Sequence, residues 1–172
     1  SQPNTSMVKS LEPMDTLFGR AISAAPVVLA HAGVEEVAAG QAPLLGTAVT
    51  GELPPAVERW PAELAAIPEL DDVALGHGLV NGRPDIDGVV RSVPIVMVTG
   101  SQARPGFAAE IARNMLDSQA IKTTPSSVRI ADRVIPVDRH GRMRIQFGEF
   151  PREKIISAGS VLGNSTRLKP DE

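Results

Sequence analysis

The chain has 172 residues with 42% hydrophobic and 22% charged side chains, which excludes disorder throughout and suits one domain with a sizeable core. A net charge of −3, with 17 scattered lysines and arginines, argues against nucleic-acid binding, which needs a basic face for the phosphates. Tyr is absent and Trp60 is the single tryptophan, so aromatic stacking on bases is poorly supplied as well.

Cysteine is absent, which excludes disulfides, thiolate catalysis and cysteine-ligated zinc but leaves the compartment open. No apolar run approaches the roughly 20 residues that a membrane helix needs. The first residues lack the charged-then-apolar order of a signal peptide. We therefore expect either a soluble protein or the water-facing part of a larger membrane protein.

The N-terminal part of the chain predicts a helix followed by a strand. Residues 1–12 are polar and aperiodic, and we predict a lead that is disordered or left over from cloning. Asp15 is predicted to cap a helix over 15–24 that ends before Pro26. The apolar spacing predicts a buried face made of Leu17, Phe18, Ala21 and Ile22. A short buried strand is predicted over 27–30, and this helix-to-strand order is typical of α/β layers.

The next segment, 33–68, contains several prolines and glycines. We predict a strand near 45–49 and a weakly helical stretch over 55–66 that Pro61 interrupts. Trp60 and Pro61 are predicted to pack over the edge of the core. A long irregular segment of this kind is either a functional surface or contains an element that the pattern does not reveal.

Clearer signals follow. Strands are predicted over 73–80 and 88–99, joined by a polar loop, with Pro94 at a sheet edge or bulge because proline lacks an amide donor. Pro105 is predicted to occupy the first turn of a helix that reaches residue 117. The buried stripe of that helix is predicted to contain Phe107, Ala108, Ile111, Ala112 and Met115.

The C-terminal part predicts a β-hairpin over 128–136, a turn at 139–141 and a strand over 143–147. Ser157 is predicted to cap a final helical turn, and residues 164–172 are predicted to form a polar tail.

The order of elements predicts the α/β class. We expect a single domain over 13–163 in which a mixed β-sheet is flanked by helices, as in a layered α/β sandwich. The sequence contains no Gly-x-Ser-x-Gly nucleophile elbow, and its Gly76-His77-Gly78 stretch lacks the Lys-Ser/Thr of a phosphate loop. We therefore predict no catalytic residue, no cofactor and no enzyme activity in this chain.

The candidate ligand-binding residues are Asp85, Asp87 and Arg91, which surround Gly88 in the polar loop. Two carboxylates fall short of a calcium loop, which adds a third Asp or Asn and a distal Glu. The carboxylates either form a cation site or polar-ligand contact, or they cap turn amides while Gly88 takes a positive φ. Arg91 is predicted to pair with Asp87 or Asp85, and an anion-binding role is the alternative.

The three histidines, His31, His77 and His140, follow no helical ligand spacing. His31 and His77 each flank a predicted strand, so they could approach each other in space. One interpretation is a metal-binding or pH-sensing role, because imidazole titrates near neutrality; the other is ordinary strand-end or turn residues. We assign no metal site from the sequence.

Several of these features occur together in one known family. The matching residues are Gly76, Val80, Asn81, Asp85, Asp87-Gly88-Val89-Val90-Arg91, Pro94, Pro136, Asp138, Gly141, Phe147, Gly148 and Ser157. The Asp-x-Asp-Gly-Val-Val-Arg run is the most specific part, and the likeness spans roughly 15–162. The chain resembles the CHASE family of extracellular sensory domains, in particular its second type.

The resemblance implies an extracytoplasmic (periplasmic) domain of a bacterial receptor, tethered to the membrane only through flanking helices that this chain lacks. It implies control of a cytoplasmic output, such as a nucleotide (adenylate) cyclase, a histidine kinase or a Ser/Thr kinase. The expected partners are a small-molecule or ion signal and a second copy of the chain in a homodimer. Family members begin with a further strand–helix–strand section that has no counterpart ahead of Asp15, and a sheet without it would expose an edge.

Two other classes of function stay open at this point. A soluble intracellular α/β enzyme or enzyme subunit would have a cleft with convergent polar groups and perturbed pKa values. A scaffold domain would dimerise without binding any ligand.

Overall fold

The computed structural model describes residues 12–36, 48–149, 151 and 155–163. The predicted lead over 1–12, except its last residue, and the predicted tail over 164–172 lie outside the described residues. Most of the predicted strand near 45–49 lies outside them as well, and a strand begins at Val49.

Short helices and strands alternate along the described chain. The helices are α1 (Met14–Ser23), α2 (Pro68–Asp71), α3 (Phe107–Met115) and α4 (Ala158–Leu162). The strands are β1 (Val28–Val34), β2 (Val49–Gly51), β3 (Arg59–Trp60), β4 (Ala62–Leu64), β5 (Gly76–Leu79), β6 (Ser92–Pro94), β7 (Val96–Thr99), β8 (Gln102–Pro105), β9 (Ile121–Thr124), β10 (Ser127–Ile130), β11 (Arg133–Pro136) and β12 (Arg142–Arg144). None of the helices in this part of the chain is long and apolar enough to cross a membrane.

The described strands form four small sheets. In the first, β1 lies between β4, which is antiparallel to it, and β5, which is parallel to it. The second has the order β11-β10-β9-β2, with β2 parallel to β9. The third is the pair β12-β6 and the fourth has the order β3-β7-β8. Parallel and antiparallel pairs with helices packed against them confirm the predicted single α/β domain.

The core is centred on β7, whose four residues are all buried. Strand β8 pairs with the whole length of β7, and β3 pairs with its last two residues. Helix α3 packs against β5 and β1 and closes one side of this region. The buried apolar cluster consists of Val49, Val57, Ile95, Val96, Val98, Ala109, Ile121, Val128 and Ile130.

The predicted start of the first helix was wrong, and of its predicted buried face only Ile22 is confirmed. Helix α1 begins at Met14 with Pro13 at the cap position, so Asp15 lies inside the first turn and does not cap it. Gly19 and Ile22 are buried, whereas Leu17 and Phe18 are exposed. The reason is a close helix–helix approach: a Cβ at Gly19 would stand 2.8 Å from a backbone oxygen of α2.

The predicted helix over 55–66 was wrong as well, because that stretch contains β3 and β4. Long-range pairing overrode the local pattern: β3 pairs with β7, and β4 pairs with β1. The predicted strand over 88–99 is divided into β6 and β7, with irregular backbone before β6. Pro94, which has no amide hydrogen to donate, is the last residue of β6. The next amide, that of Ile95, donates a hydrogen bond to the Gly141 carbonyl.

The prediction for the helix after Pro105 was wrong at its start and only partly right in its buried stripe, of which Phe107, Ile111 and Ala112 are half-buried. Pro105 ends strand β8, and α3 starts at Phe107 with Gly106 at its cap position. Ala109 and Glu110 are buried, while Ala108 and Met115 are exposed. Glu110 tolerates burial because it accepts two hydrogen bonds, at 2.9 and 2.6 Å, from the Arg113 guanidinium.

Locally encoded features were predicted correctly. The hairpin joins β10 and β11, with Ile130 opposite Arg133. Ser157 caps α4 by accepting a hydrogen bond of 3.1 Å from the Ser160 amide. The predicted turn over 139–141 is present, and Gly141 has a φ of +78°.

Gly33 in β1 lies directly beneath the Trp60 ring. An ideal Cβ at Gly33 would stand 2.3 Å from Cγ and 2.8 Å from Cβ of Trp60. Asn81 holds the same residue in place, because its side-chain amide accepts from the Gly33 N–H at 2.6 Å and donates to the Gly33 carbonyl at 2.8 Å. The tryptophan cannot retreat without moving β3, so this position requires glycine.

Replacing Gly33 by alanine is therefore expected to lower the free energy of unfolding by about 1–3 kcal/mol, the usual cost of overpacking a rigid contact. Gly82→Ala is the matched control, because nothing lies within 4 Å of a Cβ built there. Urea denaturation followed by tryptophan fluorescence measures both changes. Equal stability of the Gly33→Ala variant and the parent protein would contradict the prediction.

Candidate functional site

A buried polar cluster surrounds His31 on the central strand β1. His31 is only 2% exposed, although most buried positions of the domain are apolar. Strand β4 lies on one side of β1 and strand β5 on the other, so side chains from both neighbours can reach the imidazole. Helix α2 contributes its last residue, Asp71, to the same place.

Both ring nitrogens of His31 face carboxylate oxygens. Nδ1 lies 2.7 Å from Oε1 of Glu63, and Nε2 lies 2.8 Å from Oδ1 of Asp71. An ionised carboxylate only accepts hydrogen bonds, so each ring nitrogen must carry a proton to satisfy this geometry. The arrangement therefore holds His31 as an imidazolium.

Glu63 links His31 to a second sheet. Its Oε2 accepts a hydrogen bond of 2.6 Å from the Thr99 hydroxyl and one of 2.9 Å from Nε of Arg104. Thr99 belongs to β7 and Arg104 to β8, whereas Glu63 belongs to β4. The carboxylate is thus satisfied on both oxygens, as burial demands, and it ties two sheets together.

His77 completes the cluster from β5. In the parallel pairing His77 stands opposite Leu29 and His31 opposite Leu79, so the two histidines lie two residues apart on the same face of the sheet. Their ring centroids are 4.7 Å apart. Nε2 of His77 lies 3.1 Å from the main-chain oxygen of Asp71 and 3.2 Å from its Oδ1.

The electrostatics follow from burial and these contacts. Burial acts to lower the pKa of His31, but hydrogen bonds with Glu63 and Asp71 and the charges of both carboxylates outweigh it, so the pKa is raised above 6.5. Burial acts to raise the pKa of Glu63, but hydrogen bonds from His31 and Thr99 and the Arg104 charge lower it below 4.5. Both groups are held in their charged forms.

The sequence predicted that His31 and His77 could approach each other, and they do. It did not single out Glu63, Asp71, Thr99 or Arg104. Glu63 lies in the stretch that was interpreted as helical, so its side chain was not expected to face β1. No signal in the sequence could have found it, because apolar–charged–apolar alternation over Ala62–Leu64 would place Glu63 on the solvent side, whereas Glu63 is the buried one of the three.

The predicted ion pair in the polar loop is confirmed. Arg91 Nη1 donates to Asp85 Oδ2 at 3.0 Å and to Asp87 Oδ1 at 2.8 Å, and Nη2 donates to Asp87 Oδ2 at 2.7 Å. The Val89 amide donates to Asp87 at 3.1 Å, and Gly88 has a φ of +81°, as the turn interpretation required. The hydrogen bond from Arg91, followed by the Val89 amide, lowers the pKa of Asp87.

An open groove of about 460 Å³ lies beside this ion pair. It is lined by Asp85, Arg91, Ser92, Pro136, Val137, Asp138, Arg142 and Arg144. The structure therefore brings Asp85 and Arg91 to a groove, while His140 lies apart on its turn and contacts the Ala56 carbonyl at 3.0 Å.

The two charged groups around His31 have opposite pH dependences. Because the pKa of Glu63 is lowered on folding, its stabilising contribution is complete above about pH 4.5 and is lost as the pH falls through the folded pKa. Because the pKa of His31 is raised, its contribution is complete below about pH 6.5 and is lost as the pH rises through the folded pKa. We expect the cluster to stabilise the fold most between these values.

The measurement is urea denaturation of the parent protein and of His31→Gln in buffer with EDTA, from about pH 6 to about pH 9. The parent protein should lose free energy of unfolding as the pH rises, and the difference between the two proteins should shrink. His140→Gln is the matched control, and its pH profile should follow the parent. A decline in His31→Gln as steep as in the parent would contradict the assignment.

Comparison with known protein families identifies the family of this domain. The sequence model of the CHASE2 domain family matches residues 2–172. Searches of the curated proteins and of the solved structures gave no match. The matched span includes both the buried cluster and the loop with the Asp-x-Asp-Gly-Val-Val-Arg run on which the resemblance in sequence rested. The chain belongs to the CHASE2 domain family, a family of extracellular sensory domains.

Proposed function

We propose that this chain is the extracytoplasmic input domain of a bacterial transmembrane receptor and that it regulates a cytoplasmic output. The output would be a nucleotide cyclase, a histidine kinase or a Ser/Thr kinase, and any catalytic activity would belong to that part. The observation that carries the proposal is the CHASE2 match over residues 2–172.

The charge of the groove beside Arg91 favours a small anionic signal. Three of its lining residues, Arg91, Arg142 and Arg144, are cations, against Asp85 and Asp138 as anions. A ligand carboxylate or phosphate could share the Arg91 guanidinium, because its planar donors suit bidentate contacts. Asp85 and Asp87 would then orient Arg91 for the ligand.

The domain would act by changing the balance between two arrangements of a homodimer. A ligand shifts such a balance only through its different affinity for the two arrangements, and a difference of about 1.4 kcal/mol shifts the ratio tenfold. Helix α1 is suited to transmit the change, since it packs directly on α2, which ends in the buried cluster.

Receptor topology is the first test of this proposal. An alkaline phosphatase fused after the domain in the full-length protein should be active, because that enzyme matures only outside the cytoplasm. A β-galactosidase fusion at the same position should be inactive. The reverse pattern, or a parent gene without membrane-spanning segments on either side, would refute the receptor assignment.

Ligand binding is tested separately by thermal shift against a library of small anions and cations. A ligand at a hundred times its Kd adds about 2.7 kcal/mol to the free energy of unfolding. We expect an anion to stabilise the parent protein and Arg91→Gln to abolish that effect. Arg129→Gln, on the exposed side of β10, is the matched control and should keep it. Stabilisation by no compound would favour a dimerisation scaffold.

A further inference from the structure

We infer that His31, Asp71 and His77 form a binding site for a borderline divalent transition ion such as Zn²⁺. One ligand atom from each residue lies within 4.8 Å of the other two. The inference goes beyond the proposed sensory function and does not depend on it, because ion binding is measurable on the isolated domain whether or not the domain signals.

The distances are close to those of a tetrahedral ion site. Oδ1 of Asp71 lies 2.8 Å from Nε2 of His31 and 3.2 Å from Nε2 of His77. Tetrahedral zinc with bonds of about 2.0–2.1 Å places its ligand atoms about 3.3 Å apart. The two distances from Asp71 Oδ1 to the histidine nitrogens therefore need only a small outward movement of the Asp71 carboxylate. The two histidine nitrogens, which lie within 4.8 Å of each other, would move closer together around the ion.

One half of the hydrogen-bonding pattern around His31 is that of a metal-ligating histidine, because Nδ1 faces Glu63 at 2.7 Å. Nε2 faces Asp71 at 2.8 Å in the ion-free structure, and the proton between them would leave to solvent as the ion binds. A carboxylate on the far nitrogen fixes the tautomer and ring orientation of metal-ligating histidines. Glu63 is itself held by Thr99 and Arg104, so the imidazole orientation exists before the ion arrives.

Burial is graded across the three ligands. The His31 side chain is 1% exposed, whereas those of Asp71 and His77 are each 18% exposed. An ion can therefore enter from the side of Asp71 and His77, and a water molecule can reach it there as the fourth ligand.

The donor set selects the class of ion. Two imidazole nitrogens and one carboxylate oxygen suit Zn²⁺, Co²⁺, Ni²⁺ and Cu²⁺. Calcium takes six to eight oxygen ligands, and magnesium requires an octahedral shell rich in oxygen and water, so neither fits this cluster.

The test is isothermal titration of the EDTA-treated domain with ZnCl2, together with visible absorption of the domain after addition of CoCl2. We expect one Zn²⁺ per chain and the intense visible bands of four-coordinate cobalt. His77→Gln and Asp71→Asn should each weaken Zn²⁺ binding at least tenfold and remove those bands. Thr99→Val removes the hydrogen bond from Thr99 to Glu63 and changes no proposed ligand, so it should weaken Zn²⁺ binding by less than His77→Gln or Asp71→Asn does.

His140→Gln is the matched control, because His140 is exposed and distant, and it should bind Zn²⁺ as the parent does. Circular dichroism checks that each variant is folded. If His77→Gln does not fold, Asp71→Asn is the variant that tests the site. Absence of Zn²⁺ binding by the parent, loss of binding in His140→Gln alone, or equal binding of Ca²⁺ and Mg²⁺ would each overturn the inference.

Discussion

The contact between His31 and Glu63 is the constraint on which the rest of the structure depends, because it places two opposite charges where water barely reaches them. Their side chains are 1% and 2% exposed. Removing either partner would leave the other charge buried with one counterion fewer, Arg104 for Glu63 and Asp71 for His31, and would therefore destabilise the fold. Glu63 also joins β4 to β7 and β8 through Thr99 and Arg104. Four strands therefore keep their relative positions through one carboxylate.

The ion pairs of the loop around Arg91 are exposed to water, whereas those of the buried cluster are not. Arg91 and its two aspartates are well exposed, with side-chain exposures of 39% for Arg91, 46% for Asp85 and 49% for Asp87. Exposed ion pairs are screened by salt and add little to stability, so this loop can reorganise at small cost when a charged ligand arrives. The buried cluster suits a fixed site, whereas the loop suits an adaptable one.

Local signals predicted local structure, and long-range contacts account for the errors. The hairpin of β10 and β11, the Ser157 cap and the Asp87–Gly88 turn depend on residues a few positions apart, and each was predicted correctly. The buried faces of α1 and α3 depend on which element packs against them, and both were predicted only in part. The pairing of Arg91 with the aspartates was predictable from charge and spacing. The contact of Glu63 with His31 joins positions 32 residues apart, and no pattern in the sequence encodes it.

The close approach of α1 to α2 at Gly19 restricts how the N-terminal helix can move. A hydrogen, and no larger group, separates the Gly19 backbone from the Glu69 carbonyl, so rotation of α1 about its axis would drive the bulkier Phe18 or Arg20 into α2. Because α2 ends at Asp71, α1 is joined to the buried cluster through this one short helix, and its outward-facing Met14, Leu17 and Phe18 form a single exposed apolar edge.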